Sequence, residues 1–176
     1  PELERFFRSE MLPELYRRMR TEYDNEMVPY VQYTERGEIK AIMGFEEQLY
    51  YSTGYASLFN SFSFMTETLT YKPYAERVKG TLQFITELVR FTSENFREML
   101  SLRNEANRRT LTERKYVLDW EMDTTRWDLL AYRGYRYEET TAPITGIKTG
   151  VYNHDKPYLD TIRYYNYFNP AITDTA

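Results

Sequence analysis

The sequence contains no cysteine and only one histidine among its 176 residues. Without cysteine there is no disulfide framework, and no thiolate is available as a nucleophile or as a metal ligand. His154 alone cannot build a histidine-based metal site or a Ser-His-Asp triad. If the protein carries out hydrolytic chemistry, most of the apparatus must therefore come from other residue types or from outside this chain.

Long apolar runs and concentrated positive charge are also missing. No stretch approaches the ~20 apolar residues that a membrane-spanning helix needs, so we predict no membrane span. The net charge is −4 and is spread along the chain. Because no basic stripe appears, we predict no nucleic-acid partner. Hydrophobic residues make up 41% of the chain, which excludes a purely disordered tail.

Aromatic residues are abundant, at 17% of the chain with 18 tyrosines. Two interpretations remain open. Aromatic side chains are large apolar groups that commonly fill β-rich cores. They also line carbohydrate sites and interfaces, because they pair a flat apolar face with a polar tip.

The N-terminal part of the chain predicts a helix followed by a β-hairpin. Apolar residues at helical spacing indicate a helix over residues 2–25, with a break near Met11 because Pro13 suits the first turn of a new segment. Residues 27–45 are typical of a hairpin that turns at residues 35–37. Pro29 lacks an amide donor, which predicts that the first strand starts late or lies on an edge.

The middle of the chain predicts a loop, a strand and a long helix. Residues 46–60 carry small and aromatic residues typical of a loop. Residues 61–68 alternate between two faces, the pattern of a strand. From residue 74 to about residue 113 an apolar stripe at helical spacing predicts a helix, which we expect to end or bend near Ser93, a potential N-cap.

The character of the sequence changes near Lys115. Apolar and polar residues alternate after this point, and turn-rich stretches recur at Gly134, Gly146–Gly150 and Asn153–Asp155. These features predict a small antiparallel β unit over residues 115–168. The fold class is therefore α/β, with a part of mixed helix and sheet over residues 1–114 and a β-rich tail over residues 115–176.

A single carboxylate, Glu67, stands near the end of the predicted strand over residues 61–68, SFSFMTET. One interpretation is a solvated strand residue or the partner of a nearby arginine. The other is a general base, since such a group must be held rigidly in an environment that tunes its pKa, which the end of a strand provides.

The segment SFMTE, Ser63 to Glu67, resembles the region around the catalytic glutamate of the zinc carboxypeptidases, the carboxypeptidase A-like family. The wider stretch TGYASLFNSFSFMTETLTYKPYAERV is similar to a bacterial branch of that family. The residues that carry this likeness are Gly54, Asn60, Glu67, Tyr71, Pro73, Glu76 and Arg77.

The resemblance implies that residues 1–114 are the C-terminal portion of a mixed-sheet α/β/α carboxypeptidase-like domain. It implies Glu67 as the general base, and Tyr51, with Tyr50 next to it, as substrate-binding residues on a mobile loop. The expected cofactor is zinc, the expected substrate a peptide, and the expected reaction hydrolysis of its C-terminal bond. A secreted, periplasmic or cell-surface location is also implied.

The sequence departs from the family in lacking the H-x-x-E zinc motif, and His154 lies in the wrong region. Together with Pro1 as the first residue, this leads us to expect a piece of a longer protein whose N-terminal half supplies the zinc ligands. No metal ligand is expected in this chain, which alone should be inactive. A degenerate, non-catalytic relative is a second explanation.

A different class of function also remains open. The tail holds many aromatic residues, and these could form a non-catalytic module that binds peptides or glycans. A third possibility is that the tail only packs on its own peptidase domain. The aromatic residues in question include Trp120, Trp127, Tyr132, Tyr135, Tyr137, Tyr164, Tyr165 and Tyr167.

Overall fold

The computed structural model describes residues 2–33, 37–70 and 72–175, except for the side chain of Val31. The chain forms two compact units. The first comprises the described residues of 1–27 and 47–115, and the second comprises those of 28–46 and 116–175. The division at residue 114 counted residues 28–46 with the first part, whereas the structure groups them with the tail.

The first unit begins with a nearly continuous helix. Helix α1 (Glu2–Phe6) runs into a π-helical turn (Phe7–Met11) and then into α2 (Leu12–Tyr23). Because Pro13 has no amide to continue the α-helical ladder, the widened turn comes just before it. The helix is not broken near Met11 as predicted; Met11 and Leu12 keep helical dihedral angles, and only the type of helix changes there.

Two more helices complete this unit, α3 (Ser52–Ser57) and the 39-residue α4 (Tyr74–Thr112). Helix α3 lies where a loop was predicted. Helix α4 is uninterrupted, so the predicted end of the helix near Ser93 is wrong. The hydroxyl of the neighbouring Thr92 donates to the Leu88 carbonyl of the same helix at 2.8 Å, so this hydroxyl is satisfied within the helix.

The core of the first unit lies between α1–α2 and α4. Each buried aliphatic or aromatic side chain contributes about 1.5–3 kcal/mol relative to its exposed state. The fully buried apolar members are Phe6, Met11, Leu15, Met19, Phe84 and Phe91.

A buried carboxylate, Glu87, sits inside this apolar contact. The Tyr23 hydroxyl donates to its Oε1 at 2.8 Å, and the Arg90 guanidinium donates to the same oxygen at 3.1 Å. The Arg18 Nη1 atom lies 3.6 Å from Oε2. The carboxylate is therefore compensated by groups from both α2 and α4, and it links the two helices.

The network continues outward from Arg18. Its Nε donates to Glu14 at 2.7 Å and its Nη2 donates to Glu94 of α4 at 2.5 Å. Glu14 also accepts two hydrogen bonds from Arg17, each 2.7 Å long. A chain of alternating charges thus runs from the surface of α2 to the buried carboxylate.

We expect Glu87→Gln to lower the free energy of unfolding by about 2 kcal/mol, because the buried hydrogen bonds from Tyr23 and Arg90 lose their charged acceptor, while Arg18 keeps Glu14 and Glu94 as partners. Urea unfolding followed by circular dichroism measures the change. Glu98→Gln is the matched control, since Glu98 is an exposed glutamate of the same helix; it should change stability by less than about 0.5 kcal/mol. Equal midpoints for Glu87→Gln and wild type would contradict the structural role of Glu87.

Acid should weaken this network over a defined range. Hydrogen bonds from Arg17 and then Arg18 lower the pKa of Glu14 from 4.5 to about 2. Because the pKa of the folded state is depressed, the contribution of Glu14 is complete above pH 4.5 and is lost as the pH falls toward 2. Urea midpoints measured across this range should fall less steeply in Glu14→Gln than in wild type. Parallel pH profiles would show that the pair does not stabilise the fold.

The second unit is built from β-strands arranged in two sheets. A four-stranded sheet has the order β1-β2-β5-β4, and a two-stranded sheet pairs β3 with β6. The strands are β1 (Val31–Tyr33), β2 (Ala41–Gly44), β3 (Lys115–Met122), β4 (Asp128–Thr141), β5 (Lys148–Tyr165) and β6 (Phe168–Thr175).

The predicted hairpin is confirmed in part. Strands β1 and β2 pair antiparallel, β1 starts after Pro29, and it lies on the edge of the sheet. Residues 35 and 36 of the predicted turn lie outside the described residues. The described residue of the turn, Gly37, has a φ of +108°, a conformation that favours glycine.

Strand β2 pairs parallel with β5. The sheet is therefore mixed, although β4 and β5, the two strands that the tail contributes to it, pair antiparallel with each other as predicted. The parallel register places Ile42 of β2 opposite Tyr164 of β5, and Ile42 and Ile162 are both buried with Ile39 in a second core. The sequence pattern missed this pairing because the two strands are far apart in the chain.

Strands β4 and β5 form a long hairpin whose turn includes Gly146, with a φ of +67°. The turn predicted at Gly134 is wrong, because Gly134 lies inside β4 opposite Tyr158. A Cβ at Gly134 would come within 2.7 Å of the Tyr158 ring and hydroxyl. This glycine therefore makes room for an aromatic ring on the neighbouring strand.

The third predicted turn, Asn153–Asp155, is a bulge within β5. Tyr135 of β4 pairs with Pro157, whereas the next residue, Arg136, pairs with Asn153. The Asp155 amide donates to the Asn153 side-chain carbonyl at 3.0 Å, which holds the extra residues in place. Asn and Asp residues are typical of places where the ladder of backbone hydrogen bonds is interrupted. Here the interruption is a bulge in β5, and the chain does not reverse direction.

The architecture is thus mixed α/β, with a helical unit and a unit that contains a mixed sheet. Among the described residues, no helix is both long and apolar enough to cross a bilayer.

Candidate functional site

Residues 61–69, which contain Glu67, form neither a strand nor a helix. This corrects the predicted strand over 61–68. Strand formation requires a neighbour that pairs with the backbone, and no described segment of the chain supplies one. Glu67 itself is exposed to solvent, and it forms no ion pair or hydrogen bond with another described residue.

The start of this segment is nevertheless held firmly. The Phe62 ring lies 5.8 Å from the Phe6 ring, and the Phe64 ring lies 5.6 Å from the Phe84 ring. These aromatic contacts fix the two alternate residues against the helical core. Beyond Phe64 the chain turns outward, because Met65 and Glu67 are both exposed.

Tyr50 and Tyr51, the predicted substrate-binding residues, lie just before α3. The Tyr51 amide donates to the Gln48 carbonyl at 2.9 Å, and Tyr51 is the N-cap residue of the helix. The two rings lie 4.5 Å apart, and Tyr50 is 78% exposed while Tyr51 is half-buried. Tyr50 thus presents most of its ring to solvent.

The turn that contains Tyr50 and Tyr51, called the tyrosine turn below, is linked to the segment of residues 61–69 through α3. The Ser63 hydroxyl donates to the Thr53 carbonyl in α3 at 3.3 Å. Gly54, the next residue, is buried, and a Cβ there would stand only 2.2 Å from the Gln48 carbonyl oxygen. Gly54 is therefore required for the close approach that fixes the turn against α3, and Ser63 connects this turn with the segment that leads to Glu67.

Asn60 has a structural role at the other end of α3. It adopts a left-handed conformation with a φ of +51°, which asparagine tolerates better than most residues. Its side-chain amide donates to Asn107 at 2.9 Å and to Thr110 at 3.2 Å. These bonds attach the beginning of the Glu67 segment to the C-terminal part of α4.

The remaining residues of the resemblance surround the start of α4. Pro73 is the N-cap residue, and its carbonyl accepts the amides of Glu76 and Arg77 at 3.0 and 3.1 Å. The Arg77 guanidinium lies 5.6 Å from the Tyr74 ring centre. Tyr71 lies outside the described residues. The structure therefore explains Gly54, Asn60 and Pro73 as backbone-shaping residues.

The described residues do not fit a zinc ion. No group of three histidine, cysteine, aspartate or glutamate side chains among them comes together with metal-binding spacing. His154 lies in the bulge of β5, where its ring is 4.5 Å from that of Tyr135. The expected zinc therefore has no ligand set in the part of this chain that the structure describes.

The aromatic residues of the tail mostly pack against one another. A Cβ at Gly150 would overlap the Tyr137 ring, so this ring covers the glycine directly. Trp127 makes an edge contact with Tyr165 at 6.0 Å, and the Arg163 guanidinium lies over it at 4.7 Å. These contacts give Tyr137 and Tyr165 a packing role, whereas Trp120 and Trp127 remain 43% and 42% exposed.

The sequence-based reasoning missed the Glu87 network. A signal for it exists, because Glu87 lies three residues from Phe84 and four from Phe91, on the apolar face of a predicted helix. A carboxylate at such a position is buried and needs charged partners. The partners themselves, Arg18 and Tyr23, lie in another helix and could not be paired with it from spacing alone.

No family model, curated protein or solved structure matches this chain. The likeness to the carboxypeptidases therefore rests on the residues around Glu67 alone.

Proposed function

We propose that this chain provides the catalytic glutamate and a substrate-covering turn of a zinc carboxypeptidase-like hydrolase. The observation that carries the proposal is Glu67, an exposed carboxylate at the end of a segment that Phe62 and Phe64 anchor in the core. The motif Ser63–Glu67 supports it by resemblance. In this proposal residues 1–114 are the C-terminal portion of a carboxypeptidase-like domain.

The chemical role of Glu67 is that of a general base. A water molecule attacks the carbonyl carbon of the C-terminal peptide bond, and Glu67 accepts the proton that this water loses. Glu67 then gives the proton to the departing amine nitrogen as the C–N bond breaks. An exposed carboxylate that is not committed to an internal ion pair is free to make both transfers.

The tyrosine turn has a positioning role. Tyr51 and Tyr50 stand at the start of α3, which is linked to the Glu67 segment through Ser63 and Thr53. A phenolic hydroxyl at this place would hydrogen-bond to the substrate and limit the access of water. The zinc ligands would come from a segment outside this chain, since the described residues hold no ligand set.

In a protein that joins this chain to the zinc-binding segment that the proposal requires, we expect Glu67→Gln to lower turnover of C-terminal amino-acid substrates by about 10²–10⁴-fold. Glutamine is nearly isosteric but cannot accept the proton of water. Tyr51→Phe should have a smaller effect, because it removes one hydroxyl and leaves the base in place. Steady-state hydrolysis of a blocked dipeptide measures both.

Glu98→Gln is the matched control for this experiment, because it makes the same chemical change at an exposed site in α4; it should leave turnover unchanged. Thermal unfolding should be the same for all three variants and wild type. Near wild-type turnover in Glu67→Gln would show that Glu67 is a solvated surface residue with no catalytic role.

The 176-residue chain alone should neither retain zinc at a 1:1 ratio nor hydrolyse peptides, because zinc sites need three or four ligands from histidine, cysteine or carboxylate side chains. Elemental analysis after gel filtration in zinc-containing buffer tests the first point. One tightly bound zinc per chain would contradict the assignment of the ligands to another segment.

A further inference from the structure

Helix α4 carries two apolar faces. One face holds Phe84 and Phe91 and is buried against α1 and α2. A second stripe remains exposed, with relative exposures between 48% for Val78 and 63% for Val89. A helix that is apolar on two sides is typical of one that is packed between two layers. The exposed stripe consists of Val78, Leu82, Ile85, Val89, Phe96 and Leu100.

The backbone of residues 61–68 is also without a partner in the part of the chain that the structure describes. The backbone–backbone hydrogen bonds of the neighbouring turns end at Asn60 and resume at Leu69. Phe62 and Phe64 nevertheless fix this segment in place. A held segment with a row of unpaired amides and carbonyls is a template for another strand.

Parts of these two features line one open groove of about 660 Å³, whereas Val78, Leu82 and Val89 of the stripe are not among its lining residues. Ser61, Ser63 and Thr66 belong to one wall, and Ile85, Phe96 and Leu100 belong to the other. Arg103 also lines the groove and is the charged residue among its described lining. The groove thus combines unpaired backbone, an apolar surface and one positive charge.

We propose that this groove binds an extended polypeptide strand that pairs with the backbone of residues 61–68. The bound strand places alternate apolar side chains on the exposed stripe of α4, and it carries an acidic residue that pairs with Arg103. This is β-strand addition, in which backbone hydrogen bonds give affinity and alternate side chains give specificity. The inference does not depend on whether Glu67 is catalytic.

The chemistry of the groove favours a strand over a helix. A docked helix would cover the apolar stripe, but its backbone groups are already satisfied internally and could not pair with residues 61–68. A strand can pair with the backbone of residues 61–68 and cover the apolar stripe at the same time.

The probe for this proposal is the peptide acetyl-Thr-Val-Thr-Val-Thr-Val-Thr-Asp-amide, at millimolar concentration, added to the 176-residue chain. Hydrogen exchange followed by mass spectrometry should show about tenfold slower exchange of amides in residues 61–68. The control peptide has proline in place of the second and third valines, cannot pair along its backbone, and should give no protection.

Substitutions in each wall of the groove test the contribution of that wall to binding. Ile85→Asp places a charge on the exposed stripe, and Met65→Pro removes an amide from the unpaired segment; each should abolish the protection while circular dichroism stays unchanged. Glu98→Gln should retain it. Glu67→Gln should also retain it, so failure of the catalytic proposal and failure of this one give different results.

Three results would overturn the proposal. One is unchanged exchange of residues 61–68 at saturating peptide. Another is equal protection by the proline-containing peptide, which would indicate apolar contact without backbone pairing. The third is protection without any peptide that increases with protein concentration, together with a dimer in light scattering, because the groove would then hold a second copy of this chain.

Discussion

The helical unit depends on the buried carboxylate of Glu87. It lies in the contact between α2 and α4, where an uncompensated charge would cost several kcal/mol. Tyr23 and Arg18 from one helix and Arg90 from the other hold it. Because these partners must all be in place, the register and orientation of α2 on α4 are fixed more narrowly than apolar contact alone would fix them.

Because the position of α2 on α4 is fixed, the side chains that the helical unit offers to its other segments are fixed as well. With α1 and α2 seated on one face of α4, Phe6 and Phe84 become available to the rings of Phe62 and Phe64. The segment that leads to Glu67 is therefore packed against the core at Phe62 and Phe64, and it is exposed to solvent at Glu67. The second apolar stripe of α4 is left exposed beside it. The unpaired backbone and the uncovered stripe have the same origin, which is the lack of a second layer on this side of α4 within the described chain.

The candidate site consists of one exposed carboxylate, Glu67, and of residues that shape the backbone around it. Gly54 permits the tight approach of the tyrosine turn to α3, Asn60 turns the chain and ties it to α4, and Pro73 starts α4. These residues carry the likeness to the carboxypeptidases, and each has a clear backbone role here. In the second unit, glycines have a comparable function, since Gly134 and Gly150 make room for tyrosine rings from the paired strand.

The elements that depend on neighbouring residues in the chain could be predicted from the sequence. Apolar spacing predicted the helices over residues 2–25 and 74–113, and Pro29 and Gly37 predicted the hairpin and its edge position. The tertiary structure decided everything that needs a distant partner. The pairing of β2 with β5 and the partners of Glu87 depend on residues far apart in the chain, as does the bulge at Asn153, because a neighbouring strand decides whether a turn residue reverses the chain. The alternating residues 61–68 have the side chains of a strand, but a strand exists only when another backbone pairs with it.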